Sequence, residues 1–425
     1  MSPRIVLRLA AVSLAAVLAS TACGGGRSAR SDADGTAAVT AAAPAGPSST
    51  LPGPTGPGYR SAIEARVVDN PAFDALQQKV VSSLNAVGLP GASLLVVHDG
   101  RLVEQEAWLD YTLDTRVLIA SGSKWLSAAT IMTLVDEGRL ALDTPISTYL
   151  PRQLPDGKAA NAATVTLRQL LSFTSGLAAN EAVPCADDPD TTLVDCAGQF
   201  LARGLVHPPG EAFRYGSQHL LVAAAVAEVV SGVPFAELFQ QRIARPLGMT
   251  QTLFGQVGTG RTTDVDHPFP AGGAASTLGD YGRFLEMLVH DGVAPSGTRI
   301  LSAGSIAQMQ TNHTENVRFG SGSEFRRRTR GIYGLGEWID WTYPDGSTMV
   351  LSSDGAFGFR PWIDKKNGLF GVYLVLDKDK GYVEGDPDAT SGDTDKVSTS
   401  GLWVFEMAAK AVGGSLPSSY YPHRR

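Results

Sequence analysis

The chain has 425 residues, enough for one large domain or two smaller ones, and 43% of them are hydrophobic, the level of an ordinary globular protein. A formal net charge of −7 leaves no basic face and excludes the electrostatic footprint of a nucleic-acid-binding protein.

The chain opens like an export signal over residues 1–22. Arg4 and Arg8 supply positive charge, and Leu9 to Leu18 form an apolar run too short to span a bilayer. The stretch Ala19-Ser20-Thr21-Ala22-Cys23-Gly24 resembles a bacterial lipoprotein cleavage site, which implies a lipid anchor at Cys23. Ser20 departs from that motif, which usually has leucine there, and simple cleavage after Ala22 is the alternative. Residues 23–66 are rich in Gly, Ala, Ser, Thr and Pro and hold too few large apolar groups to bury a core, so they read as a disordered tether. A flexible run of about 40 residues spans ~35 Å and would hold a domain off the outer face of a membrane. Secretion without an anchor is the other localisation.

A folded domain is expected over residues 67–412, followed by a tail over 413–425. Phe73 to Val87 has helical spacing. Gly91 to Val97 reads as a strand, and His98-Asp99-Gly100 turns it back into Arg101-Leu102-Val103 as a hairpin. The apolar run from Val117 to Ala120 leads into a helix that starts at Ser121 and ends near Gly138. Helical patterns then dominate: Leu167 to Ser172, Leu220 to Val230, Phe235 to Ile243 and Tyr281 to Leu288. Strand patterns return at Ile332 to Leu335, Thr348 to Ser352 and Leu369 to Leu376. A last helix over 401–411 is stopped by Gly413-Gly414. The fold class is α/β of the α+β type: an antiparallel sheet built from both chain ends with flanking helices, and an all-helical lobe inserted between them. There are no internal repeats.

Ser121-Gly122-Ser123-Lys124 carries the chemistry. A hydroxyl and an amine three residues apart on a helix lie on one face, about a turn apart. The helix N-terminus and burial both disfavour an ammonium there, so Lys124 is poised to take the Ser121 proton. Ser-x-x-Lys alone is a weak signal, often only an N-cap serine with a solvated lysine. Here the helix behind it is apolar nearly all round and therefore buried. Ser123, one residue from Lys124, lies on the wrong face to be the nucleophile. Cys185 and Cys196, the remaining pair in an exported chain, suggest a disulfide.

With Pro208-Pro209-Gly210 leading through Tyr215-Gly216-Ser217 into a helix, the sequence resembles the serine β-lactamase and penicillin-binding family, its class C β-lactamase and esterase branch above all. Thr166 to Leu177, Pro246-Leu247-Gly248-Met249 and Ala271 to Thr277 resemble it too, in family order, over about residues 70–412. The resemblance implies a serine–lysine nucleophile, a Tyr-x-Asn element and a Lys-Thr-Gly or His-x-Gly strand. Tyr215 matches the tyrosine, a general base acting with Lys124. Ser217 replaces the asparagine. Ser353-Asp354-Gly355 falls where Lys-Thr-Gly would be. The Ala356 N–H joins that of Ser121 as an oxyanion hole. Ser217, Ser353, Asp354, Gly355 and Phe357 are the expected substrate contacts, and Gly355 lets its strand approach the substrate closely.

These residues together imply an exported serine hydrolase, an esterase or amidase working through a Ser121 acyl-enzyme, with no cofactor and no metal. Its partners would be a small ester or amide substrate, or a cell-wall peptide, and a membrane reached through the lipid anchor; no nucleic acid is expected. An anionic substrate group would meet Asp354 instead of the family's cation, so neutral or cationic acyl groups are favoured over β-lactams. The alternatives are a D-alanyl-D-alanine carboxypeptidase or β-lactamase acting on peptidoglycan-like substrates, and a non-catalytic envelope protein of the same fold. Arg326-Arg327-Arg328-Thr329-Arg330 and the aspartates at 386, 388, 393 and 395 read as solvated loops. His207 and His219, which flank Tyr215, are minor acid–base candidates.

Overall fold

The computed structural model describes residues 57–65, 70–150, 157–178, 185, 188, 190–255, 267–319, 332–376 and 400–416. The elements run α1 (Asp74–Val87), β1 (Gly91–His98), β2 (Arg101–Leu109), β3 (Val117–Leu118), α2 (Ser123–Asp136), α3 (Leu167–Leu171), α4 (Leu193–Ala202), β4 (Ala212–Phe213), α5 (Ser217–Ser231), α6 (Phe235–Phe239) and α7 (Arg245–Leu247). They continue with β5 (Leu253–Phe254), β6 (Ala274–Ser276), α8 (Leu278–Val289), α9 (Ala303–Met309), β7 (Arg318–Phe319), β8 (Trp338–Thr342), β9 (Thr348–Ser352), β10 (Arg360–Asp364), β11 (Leu369–Val375) and a C-terminal helix, Ser400–Ala411.

The main sheet has strand order β2-β1-β11-β10-β9-β8. Strand β1 pairs antiparallel with β11, Ala92 opposite Val375 and His98 opposite Leu369, so the two ends of the domain meet in mid-sheet. The unbroken apolar run of β1 follows from burial on both faces. Leu94 and Val96 enter one core with Leu76, Val80 and Leu84 of α1 and Val404 and Phe405 of the C-terminal helix. Leu95 and Val97 enter the other, with α2, α5 and α8. In α2 every residue from Ser123 to Leu134 is buried, as the all-round apolar pattern requires. Between β3 and the strands of the C-terminal half lies the helical lobe. Among the described residues no single helix is long and apolar enough to cross a membrane.

Several expectations are corrected. Val117–Leu118, expected only as an apolar run ahead of the helix, form β3 of a small sheet with β6 and β5. Residues 332–335 are not a strand: Tyr333 makes a lone bridge to Trp338, and the strand is β8 itself. The tether read through residue 66 ends earlier, because Ala62 and Ile63 are buried in the helical core. There Ser61 Oγ donates to a Glu286 oxygen at 2.6 Å and the Ala62 N–H donates to the other at 2.6 Å. The helix expected to run unbroken from Phe235 to Ile243 changes pitch within that span: α6 stops at Phe239, and a wider turn covers Gln240–Ala244. The leader, Cys23, the arginine run and the aspartate-rich stretch lie outside the described residues.

Candidate active site

The site begins where β3 runs into α2. The Ile119 N–H donates to the Ala274 carbonyl at 3.0 Å, holding the chain against β6. Ala120 then takes a φ of 43° and Ala120–Gly122 form one tight turn before α2 begins at Ser123. A left-handed alanine is a strained conformation, and it lifts Ser121 out of strand geometry just before the helix. Ser123 explains how the turn is held: its Oγ donates to the Ala120 carbonyl at 2.6 Å and accepts from the Ala274 N–H at 3.0 Å. Tyr281 of α8 donates to the Gly122 carbonyl at 2.8 Å. Ser123 is thus a strut of the turn, with its hydroxyl turned away from Lys124.

Lys124 is 3% exposed. Its Nζ lies 2.9 Å from Ser121 Oγ and donates to the Ala271 carbonyl at 2.7 Å. It pairs with no carboxylate among the described residues, and burial lowers it from 10.5 to about 7. An amine so placed has a sizeable free-base fraction at neutral pH, with a lone pair available to the serine proton. Glu337, wholly buried near Trp125, is pushed well up by burial.

Tyr215 closes the third side. Its hydroxyl is hydrogen-bonded to Ser121, and Lys124 Nζ stands 4.7 Å from its ring centroid. The ring stacks on Trp338 at 5.1 Å and 25° and leans on Phe173 at 4.8 Å. Burial raises the phenol strongly; the Ser121 bond offsets this in part, and the charge of Asp354 raises it further. The pair is therefore an amine near neutrality beside a phenol that keeps its proton. That ordering alters the expected roles: Lys124 is suited to be the base, and Tyr215 to hand a proton on. His219 is not part of this group. Its Nδ1 is 2.9 Å from Ser175 Oγ, its ring lies edge-on to Phe173, and burial holds it neutral, down to about 3. His207 lies beside Arg214, its Nε2 3.3 Å from a guanidinium nitrogen.

The turn after β9 approaches from the sheet. Ser353 Oγ donates to the Ser121 carbonyl at 3.1 Å and is 2% exposed, so it braces the nucleophile rather than offering its hydroxyl to a ligand. Gly355 is needed for contact with protein, not with substrate: a Cβ there would sit 2.4 Å from the Ile119 carbonyl oxygen. The turn is closed by Gly355 N–H to Phe359 O at 2.8 Å and Gly358 N–H to Gly355 O at 3.0 Å, while the Ala356 N–H has no backbone acceptor among the described residues. Phe357 is half-buried, and Ser217 opens α5 two residues beyond Tyr215, also half-buried. Asp354 is the largest departure from expectation. One carboxylate oxygen is bound by Arg360, which also reaches Asp340 at 2.8 Å. The other is buried away from solvent. The carboxylate is therefore paired with an arginine, although its side chain stays 29% exposed. Arg360 and Asp340 carry no motif, and sequence reasoning gave no reason to single them out.

Cys185 and Cys196 form a disulfide, with Cα atoms 5.4 Å apart. Among the described residues no group of His, Cys, Asp and Glu could hold a metal ion.

Comparison with known proteins adds three findings. The beta-lactamase family model matches residues 76–390. Penicillin-binding protein 4 of Amycolatopsis lactamdurans is 31% identical over 252 residues, which cover 52% of this chain and 65% of that protein, so the match spans less than two-thirds of its length. Among solved structures, a protein of Bacteroides dorei DSM 17855, provisionally described as a beta-lactamase, superposes with a TM-score of 0.68 at 31% identity, covering 80% of this chain and 99% of that one. A D-amino acid amidase from Ochrobactrum anthropi SV3 shares the fold at 20% identity and a TM-score of 0.58, over 80% of this chain and 99% of its own.

Proposed function

The chain belongs to the beta-lactamase family, whose members are serine hydrolases, and from that premise we propose that it hydrolyses small esters or amides through an acyl-enzyme on Ser121. The observation that carries this reading is the 2.9 Å contact between Ser121 Oγ and an amine lowered to about 7. Lys124 takes the hydroxyl proton as Oγ bonds to the acyl carbon. The N–H groups of Ser121 and Ala356 receive the carbonyl oxygen as it becomes an oxyanion; losing one such donor typically costs ~3 kcal/mol in the transition state. Collapse breaks the bond to the leaving alkoxide or amine, which takes the proton from Lys124 through the Tyr215 hydroxyl. Water, or another alcohol or amine, attacks the acyl-enzyme by the same route in reverse, and Ser121 regains its proton.

The substrate reading follows from charge. The Ser353-Asp354-Gly355 segment after β9 offers no cation to hold a β-lactam carboxylate, so neutral or cationic acyl groups suit the site better. The N-terminal leader and Cys23 support export and lipid anchoring on the outer membrane face. A fluorophosphonate probe tests the nucleophile: Ser121 should be labelled, and Ser121→Ala should lose both the label and aryl-ester hydrolysis. Turnover at the parent rate by Ser121→Ala would overturn the assignment, and absence of any label on the parent would favour a binding protein that keeps the fold. For the location, fatty-acid labelling should disappear in Cys23→Ala; labelling that persists rejects Cys23 as the anchor.

A second reading, cleavage of cell-wall peptides, is favoured by the relative named as a penicillin-binding protein. Release of D-alanine from a D-alanyl-D-alanine peptide at a rate above that of ester hydrolysis would promote it over the first.

A further inference from the structure

The turn 353–359 carries everything the sheet contributes to Ser121. Ser353 holds the Ser121 carbonyl, Gly355 packs on Ile119, and the Phe359 ring lies so close to Gly122 that a Cβ there would meet it at 2.6 Å. The flanking strands hold its two ends, Ser352 pairing with Trp362 of β10 and with Trp338 of β8, while the turn's own backbone bonds only close it. A side-chain tie from inside the turn to β8 runs through Arg360, which follows the turn as the first residue of β10. Its guanidinium binds Asp354 at the start of the turn with one nitrogen and Asp340 of β8 with another, and its side chain is 6% exposed.

We propose that Arg360 is a positioning residue for the oxyanion hole: by tying Asp354, inside the turn, to Asp340 of β8, it holds the Ala356 N–H at its distance from Ser121. The geometry needs a fork. A planar guanidinium offers separate nitrogens to two carboxylates, whereas an ammonium is a single point and holds one of them well. Removing the cation altogether would leave Asp340, 6% exposed, without its partner and beside the Asp354 charge, which is unfavourable. Lysine is therefore the informative replacement, since it keeps the charge and loses the span. Oxyanion holes are sensitive to such slack because their donors stabilise a charge that develops only in the transition state. A loose turn should thus lower turnover while leaving ground-state binding nearly as it was.

The inference rests on the acyl-enzyme reading, and the parent protein tests that first: parent turnover of an aryl ester, lost in Ser121→Ala, must be in hand before the variants are compared. Arg360→Lys and Asp354→Ala are then measured for kcat per site titrated with a fluorophosphonate, for KM, and for inhibition by an alkyl boronic acid whose tetrahedral oxygen occupies the oxyanion position. The expected result is a fall in kcat of about tenfold or more in each, a KM within about threefold, and a boronate Ki that rises by the same factor as kcat/KM falls. A merely structural arginine would lower the titrated fraction and leave kcat per site and Ki alone; that result in both variants overturns the proposal. Should Arg360→Lys not fold, Asp354→Ala, which keeps the arginine and its Asp340 contact, decides the matter by the same two quantities.

Discussion

Replacing Lys124 with methionine should abolish turnover and stabilise the fold, and the second effect should depend on pH. Burial lowers the amine from 10.5 to about 7. At about 1.4 kcal/mol per pH unit, that gap amounts to about 5 kcal/mol against the folded state at low pH. In the unfolded chain the lysine holds its proton up to about 10.5; in the folded protein it gives it up near 7. Between those limits the unfolded state binds more protons, so the stability of the parent rises with pH, and below about 7 the full penalty stands. Methionine has no proton to lose and a similar flexible shape. It does leave the Ala271 carbonyl without its 2.7 Å donor, a loss of ~1–3 kcal/mol. The variant should then be more stable than the parent by ~2–4 kcal/mol near pH 6. That advantage should shrink by about 2 kcal/mol between pH 7 and pH 9. Urea melts of both proteins at those pH values give the two differences. A variant less stable than the parent by one constant margin at every pH would mean that the amine carries no burial penalty. The proposed base would then have no physical origin.

The same amine should shape catalysis: kcat/KM for a neutral ester should rise tenfold per pH unit up to about 7 and then level, since only the free base accepts the serine proton. Tyr215→Phe should lower kcat by about 10²–10⁴ and keep that midpoint, because the phenol is not the group that titrates there; a midpoint that moves or vanishes would return the base role to Tyr215. Asp354→Asn should leave the ratio of kcat/KM values for a cephalosporin and a neutral ester within about threefold of the parent, because the native carboxylate is already paired; a tenfold rise in that ratio would mean the charge repels substrate directly. Gly355→Ala should impair folding or cut kcat by at least about tenfold, as its Cβ would meet a backbone carbonyl at 2.4 Å; parent-like activity would show that the turn can yield. Reducing Cys185–Cys196 should destabilise the domain by ~3 kcal/mol on the chain-entropy argument, read as a drop in urea midpoint, and two free thiols in denatured, unreduced protein would refute the bridge.

What could be read from the sequence was whatever local spacing dictates. The serine and lysine share a helical face, and the apolar residues of α2 surround the helix, so a buried lysine beside a hydroxyl followed from residues within one turn. The continuous apolar run of β1 likewise announced a strand covered on both faces. Strand β8 was missed because Ile332 to Leu335 look more strand-like than Trp338 to Thr342, yet Gly336 takes a φ of 87° and folds the first stretch into a turn against Lys124 and Ala128 of α2. Strand β10 was missed for a different reason. It opens with Arg360-Pro361, an arginine and a proline, both poor signals for an interior strand. The sheet accepts them because the arginine's charge is met by Asp340 and Asp354.

That ion-paired group also changes the argument about substrate. Counting charges along Ser353-Asp354-Gly355 treats the carboxylate as if it faced the ligand, and on that basis anions are repelled. The pairing with Arg360 comes from the next strand, and with it the carboxylate's charge is met inside the protein. The proposed preference for neutral acyl groups then rests on a different ground: the segment lacks a cation that would compensate a substrate carboxylate for leaving water. The distinction matters for mechanism as well. A bare carboxylate beside Tyr215 would act on the ligand and the phenol alike, whereas a paired one still raises the phenol while its main contact holds the turn in place. Asp354, beside the serine that stands where the family has its cation, thus acts on the site through the phenol, which its charge raises further after burial, and through Arg360, which it pairs.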